Sequence, residues 1–271
     1  NPALYTALQD GYCIIPVFIH DPCSEGKWAP GAASNTWLHY SLNSLENSFR
    51  NIGIKLVIRK GRSLEELRSL LHGTKARAVY WNRCYEPSLI KYDSKIEQIF
   101  KKEGILARNF NANLLTEAGE IKKKSGKPFQ VFTAFWKSNL ASMTPTQPLP
   151  APTLKSISGY PRNPACTSLE SLELLPHPRW ASGLWKWFEP REQGARSSLR
   201  RFIESGKLED YHTDRNRPDF YGTSRLSPHL RFGEISPRMV FQHLENIDQK
   251  NESGRNAFLR EIGWREFAHH L

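Results

Sequence analysis

Residues 55–110 read KLVIRKGRSLEELRSLLHGTKARAVYWNRCYEPSLIKYDSKIEQIFKKEGILARNF, and this stretch decides the fold class. Short β-branched runs alternate in it with longer segments whose apolar residues recur at helical spacing. Strands are predicted at Lys55–Ile58, Ala78–Trp81 and Ile105–Phe110, and helices at Ser63–His72 and Pro87–Glu103. Because strands that alternate with helices pair in parallel, we expect an α/β domain with a parallel, Rossmann-like sheet covered by helices on both faces.

The same alternation extends toward the N-terminus, with a strand predicted at Cys13–Ile19 and a helix at Thr36–Asn51. Ser63 followed by Glu66 predicts a capping box at a helix start. No strand precedes the first helical segment, Pro2–Gln9, although a sheet of this kind ordinarily begins with one. A sheet that lacks a central strand exposes backbone donors, so we expect the sequence to be a fragment at its N-terminus.

The composition changes at Thr144–Pro178, where eight prolines lie among serines and threonines. Such a segment predicts an interdomain connector largely without regular structure. Helical spacing then returns without any strand pattern, at Trp180–Phe188, Gln193–Gly206, Ser236–Asp248 and Ser253–Leu271. We therefore expect an α/β domain at 1–125, a helix and connector at 126–190, and the start of an all-α domain at 191–271.

The net charge of +11 favours polyanionic partners, nucleic acid first. No apolar run is long enough to span a bilayer and no signal-peptide pattern is present, so we expect no membrane partner. The four cysteines (Cys13, Cys23, Cys84 and Cys166) lack the spacing of metal ligands, so we expect no metal site. A reducing, cytoplasmic location without disulfides is the simplest interpretation, and we expect a monomer.

The segment Tyr221–Arg238 (YGTSRLSPHLRFGEISPR) places the hydroxyls of Thr223, Ser224 and Ser227 at the start of a predicted helix. Pro228 suits the first helical turn. Hydroxyls and backbone N–H groups at a helix start can bind an anion such as a phosphate. An ordinary helix with a polar turn explains the same residues, and this segment alone does not decide between the two interpretations.

A second segment, Phe258–Leu271 (FLREIGWREFAHHL), places Glu261, Trp264 and Arg265 on one helix face, because they stand at i, i+3 and i+4. The indole can stack on a heteroaromatic base, the carboxylate can accept from its N–H groups, and the guanidinium can reach a phosphate. The alternative is a core tryptophan flanked by an intrahelical Glu–Arg pair.

Four stretches together are similar to one family: Trp81–Pro87 (WNRCYEP), Pro128–Lys137 (PFQVFTAFWK), Gly222–Arg238 and Glu261–Leu271. They resemble motifs of the DNA photolyase/cryptochrome family, and most of all the class I cyclobutane pyrimidine dimer photolyases. The resemblance runs along the whole chain. It implies an N-terminal α/β domain, a connector and a helical FAD-binding domain, in a chain truncated at both ends.

The resemblance also implies roles for individual residues. The residues that resemble the FAD-binding ones are Tyr211, Thr223, Ser224, Leu226, Ser227 and Arg265. Glu261 and Trp264 resemble the catalytic pair that holds the flipped-out dimer, and Arg215 resembles a residue of the DNA-binding surface.

The implied function is light-dependent repair, in which photoexcited FAD, reduced and anionic, passes an electron to a pyrimidine dimer in damaged DNA. A second, antenna chromophore is implied, but the stretch after Glu86 lacks the Asn-Glu pair associated with methenyl-folate. Later helices complete the family's FAD pocket, so we expect this chain alone to bind little flavin and to be inactive. Two alternatives are a cryptochrome-type blue-light photoreceptor and a non-catalytic nucleic-acid-binding module.

Overall fold

The structure is a computed structural model that describes residues 1–24, 26–143, 147–151, 164–245, 247 and 252–271. The chain divides into two units, one of Asn1–Ala112 with Leu149–Arg191 and the other of Asn113–Pro148 with Glu192–Leu271. The connector expected at 126–190 is therefore divided between the two units. Its middle, 152–163, lies outside the described residues.

The first unit alternates helices and strands as the sequence predicts. Its elements are α1 (Pro2–Gln9), β1 (Val17–His20), α2 (Ala32–Asn51), β2 (Val57–Lys60), α3 (Ser63–Thr74), β3 (Ala78–Asn82), α4 (Pro87–Lys102) and β4 (Leu106–Phe110). Strand β1 pairs in parallel with β2, with Val17 opposite Val57, and β3 pairs in parallel with β4, with Ala78 opposite Leu106. The parallel α/β architecture is confirmed, although the described strands form two two-stranded sheets rather than one.

The first two strands begin later than predicted. The run Cys13–Ile19 contains Pro16, which has no N–H to donate to a ladder, and β1 begins directly after it. The N–H of Val57 donates to the Pro16 carbonyl at 2.9 Å, which sets the start of β2 as well.

The capping box predicted at Ser63 and Glu66 is wrong. Helix α3 starts at Ser63 itself, after Arg62 at the N-cap position. The backbone N–H and the hydroxyl of Ser63 both donate to Asp21 Oδ2, at 2.9 and 3.2 Å. A carboxylate from a residue distant in sequence therefore satisfies the first donor of α3, and Glu66 is left to pair with Arg59 at 3.5 Å. Pro87, by contrast, lies in the first turn of α4 as predicted.

One buried cluster of the first unit forms around β2, where Val57 and Ile58 are 0% and 1% exposed, and a second includes Phe100 of α4. Leu169 and Leu172 belong to the same buried cluster as Ile58.

The predicted helix at Trp180–Phe188 is a 3-10 helix at Trp180–Lys186 instead of an α-helix. Prolines at 178 and 190 bracket this segment, and such short stretches favour the tighter 3-10 turn.

The second unit contains helices and, among its described residues, no strand. Its helices are α5 (Phe132–Ser142), α6 (Glu192–Glu204), α7 (Tyr211–Asp214), α8 (Ser227–Arg231), α9 (Pro237–Glu245) and α10 (Glu252–His270). The helix predicted at Ser236–Asp248 corresponds to α9, and positions 246 and 248 lie outside the described residues. In the described part of the chain, no helix is long and apolar enough to cross a membrane.

Helix α10 packs into the core of the second unit through a face that includes Phe258, Ile262 and Phe267. Two glycines on it allow close approach. A Cβ atom at Gly254 would lie 1.7 Å from the Leu208 carbonyl oxygen, and one at Gly263 would lie 2.7 Å from the Trp136 ring. Any larger residue at either position would push α10 away from its neighbours. These contacts fix the helix that carries the candidate site.

Candidate active site

Glu261, Trp264 and Arg265 all lie on α10, at the helical spacing that the sequence predicts. Trp264 is 46% exposed, whereas the neighbouring helix residues Ile262, Gly263 and Glu266 are buried. The helix therefore turns one face to the core and presents the three predicted residues away from it or at its margin. Trp264 is a surface residue, so the alternative of a core tryptophan is wrong.

Glu261 is held by an arginine from another helix. Its Oε1 accepts a hydrogen bond from Nη1 of Arg215, the residue that follows α7. The Arg215 guanidinium carbon also lies 5.7 Å from the centre of the Tyr211 ring. Tyr211 is buried, and this burial raises the pKa of its hydroxyl. Three residues predicted separately, Glu261, Arg215 and Tyr211, thus come together. Glu261 pairs with Arg215 and not with Arg265, as the alternative interpretation would have required.

Trp264 rests on an aromatic stack that begins in α5. Its ring is parallel to that of Phe132, with centroids 3.8 Å apart and an interplanar angle of 11°. Trp136, one turn further along α5, is also nearly parallel to Phe132, at 6.4 Å and 12°. Contact between two nearly parallel rings holds the indole in one plane. Sequence reasoning missed Phe132 as a partner of Trp264. The VFTAFWK run quoted for the resemblance was the only signal.

Arg265 is anchored at the margin of the core. Its Nη1 donates to the Asn113 carbonyl at 2.6 Å and lies 3.3 Å from Oε1 of Glu266. Oε2 of Glu266 accepts from the backbone N–H groups of Leu115 and Thr116, at 2.7 and 3.4 Å. Burial raises the pKa of Glu266 from its ordinary value of 4.5 to about 7, against the opposing influence of Arg265 and these N–H groups. The burial of Glu266 was not predicted, because the residues that surround its carboxyl are distant in the sequence.

The loop that is predicted to bind a phosphate packs against the last residue of α7 at Gly222. A Cβ atom at Gly222 would lie 2.6 Å from the Asp214 carbonyl oxygen, so only glycine permits this approach. Leu226 is buried and anchors the loop, and its N–H donates to Ser224 Oγ at 3.4 Å. Asp214 ends α7, immediately before Arg215, so the same short helix supports both the loop and the partner of Glu261.

The three loop hydroxyls differ in exposure. Thr223 and Ser227 are exposed and Ser224 is half-buried, and Ser227 is the first residue of α8. Arg225 between them has a φ of +55°, in the left-handed region, and its guanidinium carbon lies 4.5 Å from the centre of the Tyr221 ring. The loop therefore presents hydroxyls and a cationic side chain together, which suits an anionic group.

Within the described residues, no three His, Cys, Asp or Glu side chains come together as a possible metal site. The four cysteines, all of which are described, form no disulfide.

Comparisons with known proteins agree with this architecture. The family model described as DNA photolyase matches residues 1–153. The chain is 37% identical to a deoxyribodipyrimidine photo-lyase of Agrobacterium fabrum, over 100% of this chain and 56% of that protein. It is 34% identical to Cryptochrome-1 of Arabidopsis thaliana, over 100% of this chain and 41% of that protein.

A crystal structure of a bacterial class III photolyase from Agrobacterium tumefaciens superposes with a TM-score of 0.92 at 35% identity, covering 100% of this chain and 55% of that one. The expected assignment to class I stays a prediction, since this similar structure is of class III. The chain spans about half the length of the photolyases that it matches. With a family model over more than half of its residues, the chain belongs to the DNA photolyase family.

Proposed function

We propose that this chain is part of a light-dependent DNA repair enzyme that splits cyclobutane pyrimidine dimers. The observation that carries the proposal is the face of α10, where the exposed Trp264 ring lies parallel to Phe132 and Glu261 is one turn away. A stacking ring beside a carboxylate suits a base that has left the duplex, because such a base offers both a π-face and N–H groups.

The dimer would stack on Trp264 and donate from a pyrimidine N–H to Glu261. In the structure Glu261 is already bound by Arg215, and the two side chains are 28% and 33% exposed. Partly exposed ion pairs contribute only about 0–1 kcal/mol, so Arg215 can exchange Glu261 for a DNA phosphate at little cost. Arg215 would then bind the backbone while Glu261 binds the base.

The loop at 222–227 is the part of this chain that fits FAD. Its hydroxyls at Thr223, Ser224 and Ser227 would donate to the phosphates, while the buried Leu226 holds the loop in place and the buried Tyr211 would contribute to the same cofactor site. Arg265, at the margin of α10, adds a cation. Reduced, anionic FAD bound there would supply a photoexcited electron for breaking the two carbon–carbon bonds that join the pyrimidines, and the electron would return to the flavin afterwards. A second, antenna chromophore belongs to the same proposal without an assigned identity.

The most direct test of this function is illumination. The complete protein that contains this chain is mixed with FAD, a reductant and a thymine-dimer oligonucleotide, and dimers are counted after near-UV light and after darkness. Loss of dimers only in the light supports the proposal. Unchanged dimers in a sample that holds flavin would contradict it.

The likeness to Cryptochrome-1 favours a second candidate, a blue-light photoreceptor. The same experiment separates the two, since a photoreceptor would bind flavin and respond to light without consuming dimers. The absence of flavin in the protein would favour the third expectation, a non-catalytic nucleic-acid-binding module. We further propose that the protein acts as a monomer in the cytoplasm, where its four cysteines would stay reduced.

A further inference from the structure

A tight turn in the second unit carries four lysines that the proposed lesion site does not use. Lys122, Lys123, Lys124 and Lys127 are all exposed. The N–H of Lys123 donates to the Lys127 carbonyl at 2.9 Å, and the N–H of Gly126 donates to the Lys123 carbonyl at 2.8 Å. Gly126 has a φ of +77°, which glycine adopts without strain. We call residues 122–127 the lysine turn.

The lysine turn is attached to the core at both ends. Ile121, just before it, is 6% exposed and belongs to the main buried cluster of the second unit. Phe129, just after it, donates its N–H to Nε2 of His270 at 3.0 Å. The ammonium of Lys123 lies 6.0 Å from the centre of the Phe129 ring. Because both ends are fixed, the charges of the turn have a definite position relative to the end of α10.

That position is close to the aromatic platform. His270 follows Trp264 by six residues on α10, a distance of about 9 Å along the helix axis. Phe132, which stacks on Trp264, follows Lys127 by five residues. Successive phosphates of one DNA strand advance about 3.4 Å along the duplex axis, so about 9 Å corresponds to roughly three nucleotides. A strand with one base on Trp264 that runs toward the end of α10 would bring its neighbouring phosphates toward the long lysine side chains.

The charge of the turn suits a phosphate backbone. Four lysines stand against two nearby acids, Glu117 and Glu120, in a chain whose net charge is +11. Lysine is a compact, mobile cation that contacts phosphate oxygens without demanding one geometry. We propose that the lysine turn binds the backbone phosphates of the DNA strand beside the base that stacks on Trp264. This inference rests on the proposed function and adds to it a surface that recognises DNA without recognising damage.

The test is the salt dependence of DNA binding by the triple variant Lys122→Gln/Lys123→Gln/Lys124→Gln. The matched control is Lys95→Gln/Lys101→Gln/Lys102→Gln, which removes three exposed lysines from α4 in the other unit. Two labelled duplexes of identical sequence are used, one with a central thymine dimer and one undamaged. Dissociation constants are measured over about 50–200 mM salt, since each phosphate contact contributes about 0.9 to the logarithmic slope.

For the turn variant, we expect the slope of log affinity against log salt concentration to become shallower by about two to three. We also expect it to bind both duplexes about tenfold more weakly at the lowest salt. The ratio between the two duplexes is expected to stay the same, because phosphate contacts carry no information about the base. Unchanged slopes would overturn the inference, as would an equal loss in the α4 control, which would indicate a general effect of net charge.

The outcomes for the turn and for the lesion site are separable. Trp264→Ala could leave the preference for the dimer unchanged while the turn variant binds both duplexes more weakly. That result would support DNA binding by the lysine turn and contradict the proposed repair function. If Trp264→Ala abolished the preference while the turn variant behaved like the wild type, the repair function would stand and this inference would fail.

Discussion

The indole of Trp264 and the phenyl ring of Phe132 lie parallel, 3.8 Å apart, although 132 positions separate them in the sequence. Phe132 is 6% exposed and fixed in the core, whereas Trp264 is 46% exposed. One ring is thus immobilised by packing and supports the other at the surface. A rigid ring loses little freedom when a base stacks on it, which favours binding.

We predict that Phe132→Leu weakens the preference for dimer-containing DNA about two- to tenfold, the range of an aromatic pair worth about 0.5–1.5 kcal/mol. Phe132→Tyr keeps the stacked ring and is expected to keep the preference. The measurement is the ratio of dissociation constants for damaged and undamaged duplexes. A Leu variant with the wild-type ratio would show that Phe132 only fills the core.

For Arg215→Gln, we predict a loss of about one from the logarithmic salt slope of DNA binding, as expected for one phosphate contact. The control is Arg217→Gln, an exposed arginine nearby that pairs with Asp219 at 2.8 Å. Neither change is expected to alter the stability by more than about 0.5 kcal/mol, since both ion pairs are partly exposed. Equal slopes for the two variants would contradict a specific role of Arg215.

Glu266 predicts a pH dependence of stability. Its pKa is raised in the folded protein from 4.5 to about 7, so the folded state binds the proton more tightly than the unfolded state does. The stability that it contributes is full below pH 4.5 and is lost as the pH rises toward 7, by an amount on the order of 3 kcal/mol.

In Glu266→Gln this loss disappears, because an amide does not titrate. Urea unfolding at about pH 4.5 and pH 7 measures the effect, and the variant is expected to show the smaller difference between them. The same difference in both proteins would mean that the carboxyl of Glu266 does not hold its proton as described.

Gly254→Ala is predicted to lower the free energy of unfolding by about 1–3 kcal/mol or more, because the new methyl group would overlap the Leu208 carbonyl. In Gly73→Ala, within α3, the new methyl group meets no atom within 4 Å apart from its chain neighbours and the local backbone of its own helix. That change should stabilise the helix by about 0.5–1 kcal/mol. Thermal unfolding distinguishes the two, and a harmless Gly254→Ala would disprove the close contact between α10 and residue 208.

Local patterns in the sequence predicted most of the elements and the face of α10. The positions of Glu261, Trp264 and Arg265 follow from helical spacing alone, and the end of α10 was predicted to within one residue. The α/β alternation likewise gave the elements of the first unit, because strands and helices have different apolar periods.

The remaining features depend on residues far apart in the sequence. Ser63 was predicted to begin α3 with its own cap, but Asp21, 42 residues earlier, supplies the acceptor. Helical spacing offered Arg265 as a partner of Glu261, but Glu261 pairs with Arg215, 46 residues away. The partner of Trp264 comes from α5. Such contacts arise only when helices pack, and no local pattern in the sequence specifies them.

The central claim is that Trp264 holds a base that has left the duplex, and it is tested by comparing dissociation constants in the dark. The duplexes are one with a thymine dimer and its undamaged counterpart, and the proteins are the wild type and Trp264→Ala. We predict that the wild type prefers the dimer and that the variant loses about tenfold or more of this preference, since base stacking contributes about 1–3 kcal/mol. The same preference in both proteins would contradict the account.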